Sequence, residues 1–382
     1  LPANLDGAAL EALERVVDPS RNGDSSPLPA FAGWLEGIAG SCRDSDDSLA
    51  NGIAILALLR DRRLDLGSRM KRSTTVAAVD RTLYMVLRQI PGLRDSHPSR
   101  YRRIDAVGQT DLRPPATPEA ILVIDARGFP AEGDQGAARL LCRAHQLGWR
   151  HFVAFDWQGG RFAGCGLGPN TRDVQLDVFG DPGDYLGSGL DGGDLIVHGD
   201  AQDQVGQILK NGRLVIHGDV GQTFLYGAKG GTVYVLGSAA GRPLINAVGR
   251  PRAVINGTCL DYLAESFMAG DPLEGGGFVV LNGIAVDDRG RIHELDTPYP
   301  GNNLFSLASG GAIYLRDPRG LVEDCQLNGG HFTTLSDADW ALVEPYLREN
   351  EALFGIPTGS LLSLDGVRQP PNRMYRKIEA DH

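Results

Sequence analysis

Aliphatic residues alternate along five phrases in the middle of the chain: LDVFGD from Leu176, LIVHGD from Leu195, LVIHGD from Leu214, VYVLGS from Val233 and AVINGT from Ala253. Their starts lie 19, 19, 19 and 20 residues apart, and each runs to a glycine: Gly180, Gly199, Gly218, Gly237 and Gly257. Alternation fits a strand with one buried face, and a terminal glycine permits the positive φ of a sharp corner. A second glycine cluster lies between phrases, as GSGLDGG at Gly187 to Gly193, KNG at Gly212 and AKGG at Gly230 and Gly231. Such a short unit cannot bury its own apolar face, whereas stacked copies share one core. The repeat therefore predicts a mainly β chain, a parallel β-helix or solenoid with rungs of about 19 residues. FVVLNG from Phe278 and IYLRDP from Ile313 read as further rungs separated by insertions.

The pattern on either side differs. Up to about residue 112 the apolar spacing is helical: Ala8 to Val17, Pro27 to Cys42, Leu49 to Leu64 and, most clearly, Thr74 to Ile90, where Val76, Val79, Leu83, Val86, Leu87 and Ile90 make one stripe. Pro91-Gly92 ends that helix, and the proline-rich run to Pro118 reads as an irregular surface connector. Ile121 to Asp125, Gly133 to Leu147 and His151 to Phe155 then read as strand, helix and strand, a βαβ crossover or cap on an open end. After the repeats, Ser336-Asp337-Ala338-Asp339 resembles a helix cap, with Trp340, Val343, Leu347 and Leu353 on the apolar face of a helix to about Phe354. The tail from Gly355 to His382 reads as extended. The expected organisation is a helical domain with connector over 1–112, a lead-in over 113–168, the repeats over 169–320, and a helix with tail over 321–382.

Composition narrows the partners. A formal net charge of −11 argues against sequence-independent binding to nucleic acid or an anionic membrane. One basic run, Arg60 to Arg72, reads as a solvated helix end and linker. The gaps between Cys42, Cys142, Cys165, Cys259 and Cys325 match no zinc, iron–sulfur or redox spacing, so free and mostly buried thiols are expected. With no secretory leader and no apolar stretch of membrane-spanning length, the reading is a soluble cytoplasmic protein.

Candidate chemistry is sparse. His198 and His217 hold equivalent places in consecutive repeats and should stack about one strand spacing apart. A metal or anion site is conceivable there, but Phe179 and Leu236 occupy the same place in the flanking repeats, which favours a structural stack. Asp181, Asp200 and Asp219 form a parallel acidic ladder, read as turn caps rather than cation ligands. Asp125 and Asp156 follow strands, where catalytic carboxylates often sit, yet nothing near them in sequence pairs with them. Glycines in register with strands are corners rather than a phosphate loop, and neither a GxSxG nor an HExxH pattern occurs. No catalytic, cofactor-binding or metal-ligating residue is assigned.

The series GSGLDGGDLIVHGDAQDQVGQILKNGRLVIHGDVG resembles the GXGXG domain, a right-handed β-helix at the end of the glutamate synthase large subunit that also occurs as a stand-alone subunit of glutamate synthase-like complexes. The lead-in from VIDARGF at Val123 to Gly168 and the exit from Leu321 are similar to that family's flanking segments, so the resemblance spans roughly Ile121 to Phe354. It implies a non-catalytic scaffold that holds a class II glutamine amidotransferase and a subunit with flavin mononucleotide (FMN) and an iron–sulfur cluster, with no cofactor on this chain. The N-terminal cysteine of the amidotransferase and the cluster's close cysteine spacing have no match here, since Leu1 opens the sequence. The same domain forms a structural subunit of formylmethanofuran dehydrogenase and of a formyltransferase/hydrolase complex, the alternative reading. A third is an independent enzyme with its site between helical region and repeats. A homo-oligomer is compatible with any of them.

Overall fold

The structure is a computed structural model, and it describes residues 27–62, 72–169, 171–287 and 291–381. The predicted helix Ala8 to Val17 and most of the basic run after Arg62 lie outside these residues. Three helices come first, α1 (Pro27–Ser41), α2 (Asp46–Asp61) and α3 (Arg72–Arg88). Ser45 caps α2 by accepting from the Ser48 amide, and Asp46 and Asp47 favour that helix's positive end.

The strands follow: β1 (Tyr101–Ile104), β2 (Ile121–Asp125), β3 (His151–Gln158), β4 (Gln175–Asp181), β5 (Asp191–Val197), β6 (Asn211–Ile216), β7 (Thr232–Val235), β8 (Arg252–Ile255) and β9 (Phe278–Leu281). Helix α4 (Ala137–Gln146) crosses from β2 to β3. After the small antiparallel pair β10 (Ile284–Val286) and β11 (Ile292–Glu294) come β12 (Ala312–Arg316), β13 (His331–Thr334) and α5 (Asp337–Phe354). The tail adds α6 (Thr358–Leu361), the hairpin β14 (Ser363–Leu364) and β15 (Val367–Arg368), α7 (Pro371–Met374) and β16 (Tyr375–Glu379).

β1 to β9 pair in parallel and in chain order, β12 joins β9 in parallel, and β16 lies antiparallel between β12 and β13, making one 12-stranded sheet. The repeat governs register: Leu176, Leu195, Leu214, Val233, Ala253, Val279 and Ile313 stand side by side across seven strands.

Both faces of this sheet are buried. One carries Leu176, Val178, Leu195, Val197, Leu214 and Ile216 into the main core, where Val205, Phe224, Leu244, Leu263 and Phe305 from the interstrand connections meet them. The other is covered by helices. α1 to α3 share a core with Val123, Val153, Phe155 and Phe179, while Val343, Leu347 and Phe354 of α5 pack with Val215, Tyr234, Val254 and Tyr314. Helical cover on a parallel sheet is the α/β solution to burying two apolar faces.

The expected mainly β class and the parallel β-helix are therefore corrected: the chain is an α/β fold with a 12-stranded, mostly parallel sheet and seven α-helices among the described residues. Alternation along each phrase suggested one buried face. It did not reveal that helices more than 100 residues away along the chain, such as α2 over β4, bury the other.

Smaller expectations change with it. Tyr101–Ile104, inside the supposed irregular connector, is a strand of the sheet, and the supposed extended tail supplies β16 to its interior. Of the glycines that end the phrases, Gly180 has the positive φ expected of corners, at 125°, whereas Gly199, Gly218, Gly237 and Gly257 lack it; Gly212, in the second cluster, has φ 102°. Left-handed backbone recurs instead at alternate residues of each connection, as at Tyr185, Gly187 and Gly189, then Gln204, Gly206 and Ile208, then Thr223, Leu225 and Gly227. There the amides bond to the neighbouring copy, Leu225 to the Val205 carbonyl and Leu244 to that of Phe224. This stacking of connections offsets the cost of left-handed conformations at residues with a Cβ.

A buried ion cluster fastens the lead-in. Glu119 accepts from Arg102 of β1 at 2.6 Å, from both terminal nitrogens of Arg113 at 2.6 and 2.7 Å, and from the Ala116 amide at 2.8 Å. Hydrogen bonding from Arg113 above all, against burial that pushes the other way, pulls the Glu119 carboxyl down to about 2. A carboxyl depressed in the folded state stabilises above its unfolded pKa and loses that contribution as pH falls through the folded value. Stability should thus decline by about 2 kcal/mol between about pH 4.5 and 2, a figure discounted because Arg113 is partly exposed. Urea titrations across that window check it: a Glu119→Gln variant should lack this component, and an unchanged pH profile in the variant would remove Glu119 as its source.

Candidate functional site

One position of the repeat gathers five buried polar side chains, His198, His217, Asn256, Asn282 and Arg316. Just beyond the paired core of each strand, facing the helices, stand Phe179, His198, His217, Leu236, Asn256, Asn282 and Arg316 in successive strands. The expected stacking of the histidines is present. Phe179 and His198 lie 3.9 Å apart between centroids and within 3° of parallel, and His198 and His217 lie 5.6 Å apart within 9°. Phe354 of α5 closes the stack edge-on against His217 at 5.1 Å.

α2 brings a carboxylate to this stack. Asp61, its last residue, places Oδ1 at 2.8 Å from His198 Nδ1 and Oδ2 at 3.5 Å from His217 Nε2. On the other side of the ring, His198 Nε2 lies 3.1 Å from Asp177 Oδ1 of β4, and Gln175 donates to Asp177 Oδ2 at 3.1 Å. Both histidines and Asp177 are buried, and the Asp61 side chain is only 12 % exposed. Carboxylates accept and do not donate, so His198 satisfies both only as the doubly protonated imidazolium. Burial alone would lower its pKa, but Asp61 and then Asp177 outweigh it and hold the ring up to about 9. Asp61 is in turn held below the ordinary carboxylate range: burial opposes this, and His198 and His217 override it.

The neighbouring Arg60, expected to be a solvated helix end, is buried and donates to Asp80 of α3 at 2.6 Å. Its guanidinium lies so close to Gly199 that a Cβ there would sit 3.4 Å from Nη1. The C-terminal end of α2 thus delivers one cationic and one anionic side chain to the sheet.

Further along the column, Asn256 donates to the Val235 carbonyl at 2.9 Å and to Asn350 of α5 at 2.8 Å, and Tyr375 of β16 donates to Asn282 at 2.8 Å. Arg316 donates to the Leu361 carbonyl at 2.8 Å and to Glu294 at 3.0 Å. Asn256 and Asn282 precede their glycines as His198 and His217 do, so the register in the sequence already carried that signal. Asp61 carried none, lying 137 residues from His198.

Most of the remaining candidates are engaged structurally. Asp200 accepts from the Asp219 amide at 2.9 Å and Asp219 from the Ser238 amide at 2.7 Å, so these two members of the acidic ladder cap the next copy of the repeat rather than their own turn, while Asp181 is exposed at the end of β4. Asp125 and Asp156 are both held by Arg88 of α3 and by Arg127, partners that short-range sequence reading missed. Cys42, Cys142 and Cys259 are buried and free, Cys165 is partly exposed and Cys325 is exposed. Burial pushes the Cys165 thiol up to about 12 and that of Cys259 higher still, which keeps both protonated at neutral pH.

Among the described residues no helix is long and apolar enough to cross a membrane. Comparison with curated proteins gives no match. A family model described as the GXGXG motif matches residues 156–357, which takes in β4 to β9, β12, β13 and α5. That match covers more than half of the sequence, and the chain belongs to the GXGXG motif family.

Proposed function

We propose that this chain is an architectural subunit of a glutamate synthase-like complex in nitrogen metabolism. It would hold a class II glutamine amidotransferase and an FMN-binding, iron–sulfur subunit in the arrangement that passes ammonia between them. The family match over residues 156–357 supports this reading, because the resemblance to the GXGXG domain at the end of the glutamate synthase large subunit implies a non-catalytic part. The site geometry supports it: the histidines, Asp200 and Asp219 of the acidic ladder, and the carboxylates of β2 and β3 all serve contacts within the chain.

The test is gentle affinity purification from native cells with mass spectrometry of the retained proteins. Recovery of an amidotransferase together with a flavoprotein is expected. Formyltransferase subunits in their place would transfer the chain to one-carbon chemistry, and an isolated chain with turnover of its own would overturn the architectural reading.

A further inference from the structure

The cluster where α2 meets the sheet combines ligand types that the complex has no need of. We propose that Asp61, His198 and His217 form a site for one divalent transition-metal ion, with zinc the best fit, that pins the end of α2 to β5 and β6. The inference does not depend on which complex the chain joins.

Geometry is the first ground. One ligand atom from each of the three residues can be chosen so that all lie within 4.8 Å of one another. Asp61 Oδ1 lies 2.8 Å from His198 Nδ1 and its Oδ2 lies 3.5 Å from His217 Nε2, on either side of the roughly 3.3 Å expected between two ligands held at about 2.0–2.1 Å in tetrahedral zinc. A ligating imidazole holds its ion in the ring plane, so seating one requires one of the two rings to turn out of the parallel stack, with a water left for the fourth position.

Preorganisation is the second. The imidazoles project from neighbouring parallel strands in matched register, with His198 stacked on Phe179 and His217 edge-on to Phe354. His198 turns its other nitrogen to Asp177, and Gln175 holds Asp177 in place. A carboxylate behind a ligating imidazole sets its tautomer and raises its basicity, as in metal sites generally.

Charge is the third. Asp61 stands at the C-terminal end of α2, where the helix dipole disfavours a carboxylate and favours a cation, and Asp177 adds a second buried negative charge. A divalent ion with two neutral imidazoles balances both. In the metal-free chain a proton on His198 Nδ1 occupies the same bond. Two nitrogens and one carboxylate without thiolate suit zinc, cobalt or iron(II), whereas calcium and magnesium demand more oxygen ligands. A groove of about 550 Å³ between α2 and the sheet, lined by Asp47, Arg100, His151 and Asp177, reaches the carboxylate behind His198.

The full chain, stripped with chelator, should be titrated with Co²⁺ and Zn²⁺ while visible absorption and thermal unfolding are followed. One Co²⁺ per chain is expected, with d–d bands, no strong thiolate charge-transfer band, and a raised unfolding temperature. His217→Leu, which repeats the residue found at Leu236, should weaken binding about 100-fold, and Asp177→Asn about 10-fold. A wild-type chain that binds no Co²⁺ at micromolar concentration, a thiolate band, or wild-type affinity in His217→Leu would each overturn the proposal. If His217→Leu does not fold, the Asp177→Asn affinity decides in its place.

Discussion

Gly218→Val should leave little folded protein, and Gly218→Ala alone should cost about 3 kcal/mol or more. A Cβ at Gly218 would lie 2.1 Å from Asp200 Oδ1 and 2.7 Å from the Gly199 carbonyl oxygen. The carboxylate can swing aside only by abandoning the Asp219 amide, and the carbonyl belongs to the adjacent strand's backbone and cannot. Gly199 is the control. Its Cβ would meet the Gly180 carbonyl at 3.0 Å and the Arg60 guanidinium at 3.4 Å, so Gly199→Ala should cost about 1 kcal/mol. Urea midpoints for the two alanine variants make the comparison. Equal losses would sink the argument, because neither residue has the positive φ that would penalise both alike.

Asp61→Ala should destabilise the metal-free chain by about 3–5 kcal/mol, since it leaves the buried His198 imidazolium with Asp177 alone. The loss should concentrate where α1 to α3 meet β4 to β6, so limited proteolysis should cut the N-terminal helices first. Pairing the change with His198→Phe, which extends the stack begun by Phe179, removes the orphaned imidazolium but leaves Asp177 with Gln175 alone, so recovery of the loss should be partial. A double-mutant cycle from urea unfolding measures this coupling. Additive effects would show that Asp61 and His198 contribute independently, contrary to the 2.8 Å contact between them.

Much of the architecture was readable from local pattern. The 19-residue return of Leu176, Leu195 and Leu214 is the strand register observed, and the βαβ order of β2, α4 and β3 was visible as a switch of hydrophobic period from 2 to 3.6 and back. The stripe of Val79, Leu83, Val86, Leu87 and Ile90 is buried as a helical core face should be, and Ser336 with Asp339 makes the expected capping box on α5. The histidine stack was legible for the same reason: residues at one phase of a repeat become neighbours when copies align in register.

The fold class and the site were not legible, and the cause is the same for both. A strand's alternation looks alike whether its second face meets water or a helix, so the cover provided by α1 to α3 and α5 could not be read from the repeats. Asp61 reads locally as a counter-charge in a basic run, and β16 as part of a tail, until long-range packing places one against His198 and the other between β12 and β13. By itself, then, the sequence determined what recurs within about 20 residues: strand phase, the stacked column, the capped helices and membership of the GXGXG family. Only the tertiary structure decided which helices close the open face and which carboxylates meet His198. Those choices depend on burying apolar area and pairing charge across more than 100 residues, for which a local pattern carries no record.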